Sequence, residues 1–513
     1  MVPAAKGKKA LVAIDLGAQS CRVSLLRWRR NQPVIEIVHR FENSPVSQGG
    51  MLLWDINAIF EGVKVGLKRC SEIAREGIAS IGVDGWAVDY VRLDAQGNPA
   101  ELPFCYRDVR TEIAEDRVHG ILSPSRLYSM TGIQILRINT LYQLYSDQIV
   151  GADCSLPWLN LPEYIAYRLS GKRVSEYTNA THTGLVALGT HSWCKQVFRE
   201  LGLDPGAAPE IVPTGSLLGS LKGDLSALPG FEDAKIIVPA CHDTASAIAA
   251  IPAVGNDWAF ISSGTWSLVG TVLDSPCTSD EAHHLNFTNL GGVGGKSYFL
   301  KNVNGLWLLQ QCLSEWRTRG IQCALKDLIA ECSALPAPVA TIDVDDPHLM
   351  VPGNAVEKIN RQLQALGHPT FSYDGSSIVP LANLIFHSMA ERYADVLASI
   401  ENTTGKKLNR LFIVGGGSQN HFLNQLTARR TGLKVTAGAT ESSTIGNFAI
   451  QAAVFDEDWT PAAGVTEESV ARWAELFTQD ARTQSDSGAS RASRLLSSEL
   501  RHGLEAHDEG WAR

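Results

Sequence analysis

The sequence predicts a two-lobed α/β protein, and three stretches carry that prediction. Ala10-Leu-Val-Ala-Ile14 is a buried strand that breaks at Asp15-Leu-Gly-Ala-Gln-Ser-Cys-Arg22 and resumes as Val23-Ser-Leu-Leu-Arg-Trp28, a hairpin with an acid at its mouth. The figure recurs in the second half, where Ala259-Phe-Ile breaks at Ser262-Ser-Gly-Thr265 and a second strand resumes towards Gly270. Then Arg410-Leu-Phe-Ile-Val414 runs into Gly415-Gly-Gly417 and a helix start, a shape that lets a nucleotide lie against bare backbone.

Taken in order, the first turn combines Asp15, Gly17 and small residues, so its N–H groups can meet phosphate oxygens. Asp15 then either holds hydrated Mg²⁺ beside that turn or merely caps it. No Gly-x-Gly-x-x-Gly opens a helix here, which excludes the dinucleotide-binding form. An edge-like strand follows around Ile35 to Phe41, and Ile56 to Glu76 has helical period with Ile59, Val63, Gly66 and Leu67 on one face. Ile78 to Leu93 gives a strand, a loop holding Asp84, Trp86 and Asp89, and another strand. Trp86 on that loop can stack on a sugar ring while a carboxylate accepts its hydroxyls, or it is a core residue. Arg107, Asp108 and Arg110 share a loop before a helix, ordinarily the mark of a solvated salt-bridge cluster.

Ile138 to Leu144 and Leu161 to Gly171 read as helices, the latter closed by Gly171. Glu176-Tyr-Thr-Asn-Ala-Thr-His-Thr183 is polar and unexplained by packing alone. In Pro239-Ala-Cys-His-Asp-Thr-Ala-Ser246, His242 and Asp243 interrupt apolar and small-residue runs. One carboxylate beside a phosphate turn at Gly264 points to a base facing a phosphoryl donor. Leu300 to Gln310 leads from a strand into a helix, with Asn302 and Gln310 at its mouth and first turns. Leu335 to Ile378 reads as a largely irregular insertion, Val379 to Ile400 as a long helix and Val435-Thr436 as the start of a short strand. Glu441 to Ile450 enters a small-residue helix whose Gly446 permits close packing. Residues 1–254 and 255–478 form the two expected lobes, and 479–513 a Ser- and Arg-rich tail with no chemistry to name.

Composition narrows the function. A chain of 513 residues with 44% hydrophobic and 19% charged content is globular, and its net charge of −9 argues against a nucleic-acid partner. The apolar run after the basic start meets Asp15 too soon for a signal segment, and no later run reaches a membrane span, so a cytoplasmic protein is expected. Ten scattered cysteines without Cys-x-x-Cys read as buried reduced thiols. His182, His283 and His284 lack carboxylates at ligand spacing and read as surface or core residues.

These motifs, in this order over roughly Leu11 to Phe455, resemble the FGGY carbohydrate kinases, the sugar-kinase branch of the actin and Hsp70 superfamily, and within it the members acting on L-rhamnulose. The carrying residues are Asp15-Leu-Gly-Ala, Tyr106-Arg-Asp, Glu176-Tyr-Thr-Asn-Ala-Thr181, His242-Asp-Thr-Ala-Ser246, Ser263-Gly-Thr-Trp-Ser-Leu268, Lys301-Asn302 with Gly305-Leu-Trp-Leu-Leu-Gln310, and Val414-Gly-Gly-Gly-Ser-Gln-Asn420. The resemblance implies a ribonuclease H-like fold of two lobes with the site in the cleft between them. It implies that Asp243 takes the proton of the sugar hydroxyl, and that Trp86, Ala87, Asp89, His242, Asp243, Thr244 and Asn302 surround the sugar. It places ATP against Ala18, Gln19, Ser20, Cys21, Arg22, Thr265, Gln310 and Gly416, with Asp15 positioning Mg²⁺. A monomer or weak homo-oligomer is expected.

Three departures bear on substrate and nucleotide. Where rhamnulose-specific members read Asp-Thr-Trp-Gly-Val-Asp, this chain has Asp84-Gly-Trp-Ala-Val-Asp89, so Gly85 removes a hydroxyl and Ala87 adds a methyl. Cys21 stands for a usual glycine and either crowds the nucleotide or changes the turn, and Glu163 stands for a usual Asp. The same chemistry on L-fuculose, L-ribulose or D-xylulose is the nearest alternative. A sugar-binding regulator without catalysis, or a chaperone-like or filament-forming ATPase, leaves Asp243 or the sugar residues unused.

Overall fold

The computed structural model describes residues 9–351 and 353–479, so the expected tail lies outside the described residues apart from its first position. The N-terminal half is built on strands β1 (Ala10–Leu16), β2 (Ser20–Arg29), β3 (Gln32–Glu42), β4 (Ile78–Gly85), β5 (Ser216–Ser220) and β6 (Lys235–Val238), in the order β5-β6-β4-β1-β2-β3. β1, β2 and β3 form an antiparallel meander, while β1, β4 and β6 run parallel.

The C-terminal half repeats the plan with β7 (Trp258–Ser263), β8 (Trp266–Leu273), β9 (Thr288–Gly291), β10 (Ser297–Asn304), β11 (Arg410–Val414) and β12 (Lys434–Ala437), ordered β9-β10-β8-β7-β11-β12. Here β7, β8 and β10 make the meander, and β11 and β12 extend it in parallel.

The helices that bear on the site are α1 (Ile56–Ile73), α2 (Thr140–Ile149), α3 (Tyr177–His182), α4 (Asp243–Ala249), α5 (Trp307–Thr318), α6 (Ala355–Ala365), α7 (Ile378–Thr404) and α8 (Ser442–Ala453).

β1 is buried along its whole length because both faces of its sheet are covered, as a strand in a parallel region must be. Its period of two divides it between two cores. Ala10, Val12, Ile14 and Leu16 pack with Ile59, Val63 and Leu67 of α1, while Leu11 and Ala13 share a core with Ile248 of α4 and Phe448 of α8. A helix from the C-terminal half therefore closes the inner face of the N-terminal sheet.

The stretch expected to be irregular contains α6, whose Val356, Ile359 and Leu363 are buried at helical spacing. Its Pro, Asp and Gly content sits in the flanks and masks a helix of ordinary period. Gly171 takes a left-handed φ of 73° after Ser170, as the sequence predicts for a helix stop.

Candidate active site

Three carboxylates end three neighbouring parallel strands. Asp15 and Asp84 are partner residues across β1 and β4, and Gly85 bridges to His242 just past β6, so Asp243 follows as the first residue of α4. Ligands of open α/β sheets sit beyond such carboxyl ends.

Exposure separates the three. Asp84 is fully buried and Asp15 nearly so, but 37% of the Asp243 side chain is open. Asp243 accepts from Thr244 Oγ1 at 3.2 Å and lies 3.4 Å from His242 Nε2. Protein nonetheless surrounds it on most sides. That burial, and next the charge of Asp15, push its pKa up to about 7. A base poised there suits proton abstraction at neutral pH.

Burial, followed by the Asp15 charge, pushes Asp84 well above the usual carboxylate range. Its Oδ2 accepts from Asn447 Nδ2 at 2.5 Å, and its buried Oδ1 has no hydrogen-bond partner. An unpaired carboxylate oxygen beside a second acid is a place where a cation is welcome. Among the described residues no three His, Cys, Asp or Glu side chains form a closed cage.

α8 reaches across to these acids with a polar stripe at i, i+4 and i+8. Ser443 Oγ donates to Asp15, Asn447 to Asp84, and Gln451 Nε2 to Val12 O at 2.9 Å. In the sequence this helix is marked by Gly446 among small residues. The signal was present as polar residues at helical spacing among small apolar ones.

The turns expected to meet phosphate lie where the hairpins break. Ala18 and Ser20 are half-buried and Gln19 is exposed. Arg22, the ladder partner of Asp15, pairs with it at 3.1 Å and also with Glu441. Cys21 does not crowd the turn. Its side chain is fully buried in the α1-side core, and burial pushes the thiol up to about 12. Only its backbone is left for a nucleotide.

In the second turn Thr265 is half-buried, and its carbonyl accepts from Trp307 N at 3.2 Å, which ties the turn to the start of α5. Gln310 of α5 is exposed. Gly416 is exposed with open space where a Cβ would stand, while Gly417 lies flat on Ser263, so the glycine run meets the second turn and leaves bare backbone outward.

The expected sugar residues divide. His242 and Ala87 are mostly buried, and Thr244 and Asn302 are half-buried. Asn302 Nδ2 donates to Gln134 Oε1 at 2.7 Å, a bond between the two halves. Trp86 takes the core alternative, its ring 4.7 Å from that of Trp54. Asp89 is corrected outright. Its fully buried carboxylate accepts from Trp54 Nε1 (2.7 Å), Trp86 Nε1 (2.9 Å), Gln143 Nε2 (3.0 Å) and Tyr106 N (3.2 Å), and no part of it is open to a sugar hydroxyl.

Gly85 is corrected as well. A Cβ there would lie 2.7 Å from Leu16 Cβ and 2.9 Å from Leu16 O, so a Thr hydroxyl would press on β1 rather than reach a sugar. The Arg107–Arg110 cluster is not simply solvated, since Arg110 pairs with the buried Asp147, which also holds Arg92 at 2.7 Å.

The Glu176 segment now has a packing reason. Glu176, fully buried before α3, accepts from Cys241 N at 3.0 Å and so fixes the backbone leading to His242 and Asp243. Its neighbour Glu163 accepts from Glu176 N at 3.2 Å and Asn179 Nδ2 at 2.8 Å. The usual Asp position is thus a framework position in this chain.

A duplicated meander sheet, acids at the strand ends and two turns that offer backbone N–H groups are the arrangement expected of a two-lobed phosphotransferase. Residues 10–250 match the N-terminal domain of the FGGY family of carbohydrate kinases and residues 259–455 its C-terminal domain, and the chain belongs to that family. It is 38% identical over 444 residues to a rhamnulokinase of Halalkalibacterium halodurans, covering 86% of this chain and 92% of that one. Solved structures share the fold. A xylulose kinase from Lactobacillus acidophilus aligns with TM-score 0.72 at 17% identity over 98% of this chain and 99% of its own. A Plasmodium falciparum glycerol kinase with ADP aligns with TM-score 0.70 at 14% identity over 94% and 97%. No helix among the described residues is long and apolar enough to cross a membrane.

Proposed function

We propose that this chain transfers the terminal phosphoryl group of ATP to the 1-hydroxyl of L-rhamnulose. The observation that carries the reaction is Asp243, an open carboxylate raised to about 7 in a row whose other two acids are buried. The 38% identity to a rhamnulokinase supports the substrate.

Asp243 accepts the proton as the sugar oxygen forms its bond to phosphorus, and the bond from phosphorus to the bridging oxygen breaks to release ADP. His242, Asn302 and the Ala87 backbone orient the ketose. Arg22 and the backbone N–H groups of the Ala18–Cys21 and Thr265 turns neutralise phosphate charge, and Gly416 and Gln310 flank the rest of the nucleotide. Phosphoryl transfer needs this positioning and neutralisation above all.

The residues present fit Mg²⁺, which keeps most of its waters and takes one or two carboxylates. Asp15 and the unpaired Oδ1 of Asp84 are the groups that would hold it. When bound it supplies positive charge to the phosphates. The protein is read as a cytoplasmic monomer or weak homo-oligomer without a nucleic-acid partner.

The test is ADP release from Mg-ATP with L-rhamnulose, L-fuculose, L-ribulose and D-xylulose side by side. Preference for rhamnulose is expected, and Asp243→Asn should lower turnover by about 10² to 10⁴. Turnover of Asp243→Asn within a few-fold of wild type would sink the mechanism, and preference for another ketose would sink the substrate. Ala87 is the departure that bears on that second reading, because Gly85 faces β1; Ala87→Gly is the variant to run beside the panel.

A further inference from the structure

Val88 has a φ of +72°, a left-handed conformation in a β-branched residue. Asp89 N donates to Ala87 O at 3.0 Å across it, which makes residues 87–89 a γ-turn of the rare, strained hand. Such strain persists only where the surroundings over-determine it, and it gathers at ligand clamps.

The surroundings are one face of α2. Thr140, Gln143 and Asp147 stand at i, i+3 and i+7, so all three meet the same strip of chain. Thr140 Oγ1 donates to Val88 O at 2.7 Å, and Gln143 Nε2 reaches Val88 O at 3.3 Å and Asp89 Oδ1 at 3.0 Å. Asp147 holds Tyr90 and Arg92 just beyond. From the other side, the Trp54 and Trp86 indoles fix Asp89. The turn therefore cannot relax without breaking bonds on both flanks. Ala87 O is used inside the turn, and no hydrogen bond among the described residues takes up the Ala87 N–H, which leaves that donor available.

We propose that the Val88 γ-turn, clamped by Thr140 and Gln143, is the positioning device that aims the Ala87 N–H at a sugar oxygen and sets ketose recognition. This rests on the kinase reading above. Val88 and Thr140 do not touch the reacting atoms; they act through Ala87.

Val88→Gly separates this from a structural role, because glycine adopts a φ of +72° without strain. Its melting temperature should change little, because relief of the strained φ opposes loss of the buried Val88 side chain, yet the KM for the ketose should rise about tenfold with kcat and the KM for ATP within about twofold, the pattern of lost ground-state binding. Thr140→Val keeps shape and removes the donor, and should move the ketose KM the same way, whereas Thr140→Ser restores it. Ketose KM unchanged in both Val88→Gly and Thr140→Val, with an active wild type, overturns the clamp alone. A wild type inactive on every ketose overturns the kinase reading and the clamp with it.

Discussion

Asp243 and Asp84 differ in exposure more than in chemistry, and that difference favours Asp243 as the proposed base. Asp243 is pushed up to about 7, first by burial and then by Asp15, so below that pH it carries the proton it must accept from substrate. In the free enzyme kcat/KM for the sugar should fall about tenfold for each pH unit below that midpoint and level off above it. A profile flat from pH 5.5 to 8 would remove Asp243 from the role of base. His242, 3.4 Å away, does not supply that limb, because burial holds it well below the ordinary histidine range and neutral. The candidate base was legible in sequence as an acid interrupting a small-residue run. The inward turn of Asp89 was not. Its donors Trp54, Tyr106 and Gln143 are distant in sequence, and only the fold brings them together.

At the scale of elements, α4 and α8 cross so closely that their contact admits no side chain at Gly446. A Cβ there would lie 1.8 Å from Ser246 O and 3.1 Å from Ala250 N, both backbone atoms. An alanine inside an exposed helix stabilises by about 1 kcal/mol relative to glycine. Here the sign should reverse, because the helices must part, with a loss of about 1–3 kcal/mol or more. Urea unfolding of Gly446→Ala checks this, and a gain in stability would mean the crossing is looser than described. Activity should fall too, since α8 carries the Ser443 and Asn447 contacts to Asp15 and Asp84. This crossing was foreseeable from Gly446 among small residues, as the hairpins were from apolar runs broken by turn residues. α6 was hidden because a helix of ordinary period sat inside a Pro- and Gly-rich composition. The α8 polar stripe was hidden because its partners are on strands more than three hundred residues earlier.

Across the whole molecule, buried acids and buried histidines pull stability in opposite directions with pH. Glu163 is pushed up to about 8, first by burial and then by Glu176, and Asp84 and Glu176 are also raised. A raised acid holds its proton more tightly folded than unfolded, so its stabilisation is complete below its unfolded pKa and is lost as pH rises through the folded value. His182, lowered by burial to about 4, and His242 act the other way, their stabilisation present above the ordinary histidine value and lost on acidification. Between the unfolded values of 4.5 for glutamate and 6.5 for histidine the two sets oppose each other. Above 6.5 the histidines are neutral in both states and the acids act alone. In metal-free buffer the urea midpoint should therefore fall more steeply with pH above 6.5 than below it, by about 1.4 kcal/mol per pH unit for each proton held. Glu163→Gln cannot lose a proton and keeps the side-chain shape, so it should flatten the alkaline limb by about one proton's slope, and remove the same slope from the opposed range between 4.5 and 6.5. An alkaline limb identical to wild type would mean that Glu163 is already ionised in the fold, and that the Glu163–Glu176 pair shares its site as two charges.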